Sequence, residues 1–362
     1  MGNAIRVLHT EWSTGWGGQE IRIINEMISV RNEGIDVFLA CRNDSTIKKK
    51  AIENKIKVFT LPFKGNADLK TLFGLKKIIK IHSIDIINTH SGKDSWVGGL
   101  AAKMARIRFI RTRHLSNRIS PVRFNFINEL ADYIFTTGES VRSDMIKYNR
   151  IKSYKIKSIP TGIDVSIFNP NNYAKDKFRK QFNIIDDEIA IGILAVLRQF
   201  KRHDLFLKMA KAIIEKYPSK KFVFIIAGDG PQKNSIQKII NDLNLTSQVK
   251  LLGHVDKVAE LLSALDMLVL SSDSKEGVPQ SVMQGLLMRK SVVATNSGST
   301  KDLLINNNFQ LVGTDSIEEL VNGASYYIDS NNFEQNGMLI EEKFSLEFMS
   351  KRIVEIYNHL LS

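Results

Sequence analysis

IRVLHTEWSTGWGGQEIRIINEMISVRNEGIDVFLAC, residues 5–41, changes its hydrophobic period twice. IRVLH (5–9) is an apolar run of strand length. From Glu20 the apolar residues recur at helical spacing, with Ile21, Ile24, Met27 and Ile28 on one face, and Gly34 suits the helix stop. IDVFLAC (35–41) then restores a strand. Strand, helix, strand in this order predicts a parallel pair joined by a crossover. Between the first strand and the helix, Gly15, Gly17 and Gly18 leave room for a close backbone approach, so an anion could sit against amides at the helix N-terminus. The spacing is not the G-x-G-x-x-G dinucleotide fingerprint, and no acidic residue clearly closes the second strand.

The alternation continues outward through IKVFTL, the helix DLKTLFGLKKIIKIH, IDIINT, a helix around SWVGGLAAKMA, RFIRTR and YIFTT. A second series follows FNPNNYAKDKFRKQFN: EIAIGILAVL, a helix from about His203, KFVFIIAG, a helix from Pro231, VKLLG, a helix through VAELLSALD, MLVL and SVVAT. The fold class expected is α/β, with two doubly wound Rossmann-like domains facing across a cleft and ligands at the carboxyl ends of the strands. The boundary is expected near residues 165–185. The last segment carries Leu346, Met349, Ile353, Ile356 and Leu360 at helical spacing.

A chain of 362 residues exceeds the usual single core, and 43% hydrophobic with 25% charged residues describes a globular protein. No run of eighteen apolar residues and no hydrophobic start after a charged head is present, so a cytosolic protein is expected. Cys41, the single cysteine, is expected to be buried in a strand, with no disulfide and no zinc spacing. The excess of 51 Lys+Arg over 38 Asp+Glu, formally +13, favours a polyanion, an anionic membrane surface or a phosphorylated ligand without choosing among them. A compositional bias toward Lys and Ile explains it equally well.

Several side chains fall at predicted strand ends. His90 closes IDIINTH and His114 closes RFIRTRH, which places both at the sheet's carboxyl edge; neither has metal-ligand spacing. Arg198, Lys201 and Arg202 in AVLRQFKRHD gather positive charge suited to a diphosphate. In IIAGDGPQ, Gly228 and Gly230 permit a tight turn. In SSDSKEGVPQSVMQ, Pro279 near a helix start leaves the amides of Gln280 and Ser281 toward an anion, while Glu276 suits hydroxyl groups rather than a phosphate.

Taken in order, GWGGQE, RTRH, IPTGIDVSIFNP, LRQFKRH, IAGDGP, EGVPQSVMQ and SVVATNSGSTKDLL resemble the retaining nucleotide-sugar glycosyltransferases of family GT4, with the GT-B fold. The resemblance implies an acceptor-side domain over 1–165, a nucleotide-sugar-binding domain over 166–344, and a last helix, 345–362, crossing back to the first domain. It implies that Glu276 binds donor-sugar hydroxyls and that Arg198 with Lys201 grips the diphosphate. Gly17 and Gly18 would let the backbone approach that diphosphate, His114 would lie near the transferred sugar, and Ser299 and Thr300 would complete the pocket, with no cofactor and no metal. The family's Glu, seven residues, Glu is here Glu276, seven residues, Gln284, which puts an amide that both donates and accepts where the ribose hydroxyls are held. Thr161 stands where the family more often has Asn.

The donor implied is a UDP-sugar and the acceptor a glycan or lipid-linked hydroxyl, as in lipopolysaccharide synthesis. The lysine-rich stretch 43–82, together with Arg118, Arg123, Phe124 and Phe126 in SNRISPVRFNF, suits peripheral attachment to an anionic membrane surface. A nucleotide-sugar 2-epimerase shares the architecture. A basic nucleic-acid-binding protein would also explain the charge, but no helix-turn-helix, zinc or RNA-binding aromatic motif is present, so nucleic acid is not an expected partner.

Overall fold

The computed structural model describes residues 4–114, 126–273, 277–334, 340 and 343–362. The chain divides into two units, Met1–Gly162 with Phe344–Ser362, and Ile163–Lys343.

Unit one begins with β1 (Arg6–Glu11), α1 (Gly18–Asn32), β2 (Asp36–Cys41), α2 (Thr46–Glu53), β3 (Lys57–Thr60) and α3 (Leu69–His82). It continues through β4 (Ile86–Thr89), α4 (Gly92–Ala105), β5 (Arg108–Arg113), α5 (Ile127–Leu130), β6 (Tyr133–Thr136), α6 (Glu139–Asn149) and β7 (Ile156–Ser158). Its seven strands are ordered β3-β2-β1-β4-β5-β6-β7, and every pairing is parallel. Strands covered on both faces read as continuous apolar runs, which is why the sequence shows them so plainly.

Unit two runs α7 (Lys175–Gln181), β8 (Glu188–Leu194), α8 (His203–Lys216), β9 (Lys221–Ala227), α9 (Lys233–Asp242), β10 (Val249–Gly253) and α10 (Val258–Ala264). Then come β11 (Met267–Leu270), α11 (Gln280–Leu287), β12 (Ser291–Thr295), β13 (Gln310–Val312) and α12 (Ile317–Ser330). Its six strands are ordered β10-β9-β8-β11-β12-β13, again parallel. In each sheet the strand order reverses direction once, between β1 and β4 and between β8 and β11. In open parallel sheets that point is where ligands settle, outside the carboxyl ends of the strands.

The last helix, α13 (Leu346–Leu361), packs on α1 in unit one. Ser345 caps it by accepting a hydrogen bond from the Phe348 amide at 3.1 Å, and Met349, Ile353, Ile356 and Tyr357 are buried in the core with Val7, Ile23 and Phe135.

Two details differ from the sequence reading. In α1 the fully buried apolar residues are Ile23, Ile24, Met27 and Val30, while Ile21 and Ile28 are half-buried. The helix lies between the sheet and α13, so it buries more than one stripe, including the Arg22–Glu26 ion pair at 3.1 Å. The helix expected from Pro231 starts at Lys233, with Gln232 as its N-cap, because the Gln232 amide is drawn to the carbonyl of Leu197 at 3.0 Å. Cys41 closes β2 and is buried.

Candidate functional site

In unit one, β1, β4 and β5 lie side by side; β4 and β5 each end just before a histidine, His90 and His114, and His9 lies in β1 two residues before its end. His9 Nδ1 lies 2.9 Å from His90 Nε2, and His90 Nδ1 lies 3.0 Å from His114 Nε2. The chain of three rings therefore spans the switch point between β1 and β4. His9 and His90 are buried, and His114 is half-buried. Burial is the main reason that all three give up their protons readily. His9 is pushed down to about 3, and Arg22 adds to the effect at each ring.

Asp94, in the first turn of α4, holds this edge together. Its carboxylate accepts from Thr10 Oγ1 at 2.6 Å, from the His90 amide at 2.9 Å and from the Ser91 amide at 2.8 Å. Glu11 accepts from the Ser13 amide at 2.8 Å and from Gln19 Nε2 at 2.5 Å, so it braces both ends of the glycine loop. Burial, with Asp94 nearby, raises the Glu11 carboxyl well above the usual carboxylate range. Behind this edge, Arg22 donates to the Ile159 carbonyl at 2.9 Å, and Asn88 links Glu26 to Thr112. Thr161, at the family's Asn position, is buried 3.5 Å from Arg22 Nη1.

Gly17 is the N-cap of α1 in an extended conformation, φ −163°, with no side chain over the helix end, and Gly18 is the first helical residue. A Cβ on Gly17 would meet nothing nearer than Glu20 Oε2 at 3.6 Å. Neither backbone angle nor protein packing demands glycine there, which leaves room for something outside the chain.

In unit two the loops after β8, β9, β11 and β12 are laced together. Leu197 N donates to Asp229 O at 3.0 Å, Asp273 N to Phe200 O at 2.8 Å, and Ser271 Oγ to the carbonyls of Lys201 and Arg202 at 3.0 and 2.9 Å. Ser299 N reaches Gly277 O at 3.3 Å, and Thr295 Oγ1 reaches Ser272 O at 2.7 Å. Arg198, Lys201, Pro279, Ser299 and Thr300 thus belong to one connected edge. Pro279 is the N-cap of α11, so Gln280 and Ser281 open the helix. Gln284 lies one turn on and is half-buried. Gly228 and Gly230, with φ +150° and +156°, sit against the β8 loop.

The three cations of this edge are not equivalent. Arg202 grips Asp204 through Nε at 3.0 Å and Nη2 at 3.1 Å, and its Nη1 pairs with Asp315. The Lys201 ammonium lies 5.3 Å from the Phe200 ring centre. Arg198 is exposed and enters no ion pair among the described residues. It borders a cavity of about 550 Å3 lined also by Phe200, His203, Gln232, Ile236, Ile239 and Asp273. Of the three cations, Arg198 and the ion-paired Arg202 both line it, with Asp204 beside Arg202; Lys201 and the α11 and Ser299 segments lie along the same edge outside its wall.

Glu276 lies outside the described residues, as do Arg118, Arg123 and Phe124. Phe126 is exposed and meets Trp96 edge-on, with ring centres 5.0 Å apart. No group of three or more potential metal ligands occurs among the described residues. The sequence reading did not single out His9, Glu11 or Asp94. The available signal was that the segments IRVLH, IDIINTH and RFIRTRH each close an apolar run with a histidine.

The family description "Glycosyl transferases group 1" matches residues 174–343, and "Glycosyltransferase Family 4" matches residues 16–167. Among curated relatives, the chain is 24% identical over 337 residues to the UDP-Gal:alpha-D-GlcNAc-diphosphoundecaprenol alpha-1,3-galactosyltransferase of Escherichia coli, covering 88% of this chain and 86% of that protein. A crystal structure of a glycosyltransferase from Rickettsia africae superposes with a TM-score of 0.89 at 19% identity over the whole of both chains. The structure of Anabaena HepE in complex with UDP and glucose gives 0.83 at 19% identity, over 98% of this chain and 100% of that one. The fold these share with the chain is GT-B.

Proposed function

Because the chain belongs to the group 1 glycosyltransferases, its first half matching Family 4, we propose that it moves a sugar, with retention, from a nucleoside-diphosphate sugar to a hydroxyl group. The donor is a UDP-sugar and the acceptor a glycan or lipid-linked glycan of bacterial surface polysaccharide or lipopolysaccharide synthesis. The E. coli relative, by its name, uses UDP-Gal and a diphosphoundecaprenol-linked acceptor, which supports both choices.

In the proposed reaction the bond from the anomeric carbon to the phosphate oxygen breaks while the acceptor oxygen bonds to that carbon from the same face. The acceptor's proton leaves with the phosphate. Negative charge grows on the departing diphosphate, so fixed cations and amides stabilise the transition state more than the ground state. Arg198 and Lys201 supply the cations in place of a metal, and Gly17, Gly18 and the first amides of α11 supply peptide dipoles. Glu276 and His114 address sugar hydroxyls, and Gln284 the ribose. The observation that carries this reading is the contrast between Arg198, without an ion pair among the described residues, and its loop neighbour Arg202, which pairs with Asp204 at the start of α8 and with Asp315 beyond β13. An exposed guanidinium on a cavity wall, with no ion pair among the described residues, suits an anionic ligand.

Thermal shift against a panel of nucleoside diphosphates and their sugars tests the donor. A ligand at about 100 times its Kd adds roughly 2.7 kcal/mol of apparent stability, and UDP and a UDP-sugar are expected to stand out. Arg198→Ala and Lys201→Ala are each expected to lower turnover about 100- to 1000-fold. Folded variants with near-normal turnover would remove the phosphate assignment.

On the acceptor side, α3 presents Leu69, Phe73 and Ile81, which are 64%, 58% and 61% exposed, beside exposed Lys70, Lys77 and Lys80. We propose that this face rests on anionic lipid, a combination of apolar anchors and basic residues that favours a headgroup surface. No helix among the described residues is long and apolar enough to cross a membrane.

A further inference from the structure

Three imidazoles joined edge to edge leave little freedom in where their protons lie. The His9 and His90 rings are within 11° of coplanar with centres 5.2 Å apart, and His90 and His114 follow at 5.3 Å and 35°. Those centre distances exceed the N···N separations of 2.9 and 3.0 Å by two ring radii, so the contacts run through the ring edges rather than face to face. Each contact needs one proton between its nitrogens. For three neutral rings only two arrangements satisfy both contacts. Either every ring carries its proton on Nδ1, or every ring carries it on Nε2.

The far end of the chain separates the two. His9 Nε2 is buried and has no hydrogen-bond partner among the described residues. In the second arrangement it would be an orphaned N–H; in the first it is a bare lone pair. Buried N–H groups without acceptors are the rarer defect. Nearby, Arg22 Nη2 is a buried donor that finds no acceptor among the described residues. Arg22 is the cation felt by all three rings.

We propose that His9 and His90 are positioning residues that lock His114 as the Nδ1–H tautomer, so that His114 presents a hydrogen-bond donor, and not a base, to the reacting sugar. Among the described residues no hydrogen bond engages His114 Nδ1, and the ring is half-buried at the strand end. The lock rests on the functional reading above for its consequence: a donor at this place hydrogen-bonds a sugar oxygen and leaves the acceptor's proton to the departing phosphate. Reversal would require protons to move across both contacts together and would strand an N–H at His9.

The test is ring-nitrogen NMR of the full-length protein labelled with 15N-histidine, in which two-bond correlations distinguish a protonated from a bare ring nitrogen. The seven histidines are assigned by single substitutions. His114 is expected as Nδ1–H with bare Nε2. An Nε2–H or an imidazolium signal at neutral pH overturns the proposal. In His9→Phe, which removes the terminal ring and keeps an apolar filler, the His114 signals are expected to become a mixture of tautomers. His9→Asn, which can still offer an N–H to His90 Nε2, is expected to restore the Nδ1–H state. A folded His9→Phe whose His114 remains wholly Nδ1–H overturns the positioning role, and if that variant does not fold the parent spectrum alone decides. UDP binding by calorimetry is measured separately: its absence would strike the functional reading, whereas the tautomer stands or falls on the ring signals.

Discussion

A Cβ built on Gly228 would fall 1.9 Å from the carbonyl oxygen of Ala195, and one on Gly230 would fall 2.7 Å from that of Leu197, both backbone atoms that cannot swing away. Gly17 meets no such obstacle. Gly228→Ala is therefore expected to lower Tm by several degrees, while Gly17→Ala leaves Tm within about a degree and weakens UDP-sugar binding about tenfold or more, roughly 1.4 kcal/mol. Calorimetry beside a thermal melt reads both, and unaltered binding by a folded Gly17→Ala would mean that no ligand approaches that loop. His9 supplies a second prediction. Its ordinary value of 6.5 falls to about 3 in the fold, so the unfolded chain takes up a proton that the folded one refuses. That contribution to stability is whole above about pH 6.5 and is lost as pH falls toward 3. His9→Phe binds no proton there, and its Tm should decline less than the parent's between pH 6.5 and 4.5; parallel curves would count against a buried neutral His9. The sequence showed His90 and His114 at strand ends because an apolar run terminating in histidine is visible by eye. It could not show that they touch, or that His9 joins them, since those contacts depend on the register of β5 against β4, Ile110 opposite Asn88, and of β1 against β4, His9 opposite Asn88, strands some eighty residues apart.

Helix α3 was legible almost to its ends. Asp68 before LKTLFGLKK is a good N-cap and accepts from the Thr71 amide at 3.2 Å, and Ser83 closes the helix in a left-handed conformation, φ 48°. Leu75, Ile78 and Ile79 go inward while Leu69, Phe73 and Ile81 stay out, more apolar surface than a solvated helix face needs. With about 1 kcal/mol per basic residue close to an anionic surface, co-sedimentation with phosphatidylglycerol-containing vesicles is expected at low salt and should fall in about 0.5 M salt. Leu69→Ser with Phe73→Ser should weaken it at every salt concentration. Equal recovery on neutral and anionic vesicles would sink the docking role of α3. Other elements were harder to read. The strand β13 is three residues, QLV, at a sheet edge, too short to show a period. The buried face of α1 was misplaced because the helix is covered by α13 as well as by the sheet, a contact between segments more than three hundred residues apart that no local pattern reports.

At the scale of the whole chain, unit one depends on residues from both of its ends. Gly162 packs directly against the start of α13: a Cβ there would lie 2.8 Å from the Cα of Leu346 and 2.9 Å from the carbonyl oxygen of Ser345. Four buried side chains of α13, at about 1.5–3 kcal/mol each, amount to the whole stability of an ordinary domain, about 5–15 kcal/mol. Stopping the chain before Ser345 is therefore expected to abolish the cooperative melting of unit one and expose its amides to hydrogen exchange, while the amides of β8, β9 and β11 remain protected. Protection in β1, β2 and β4 equal to the parent's would show that α13 is dispensable.

The return of α13 also bears on how the protein is made. A ribosome delivers β1 to β7 first, yet the helix that completes their core emerges only after every residue of unit two. The later half can reach its native state while the earlier half is still waiting, the reverse of the usual order of synthesis. During that interval the apolar side of α1 faces water and becomes a natural place for a chaperone to hold the nascent chain.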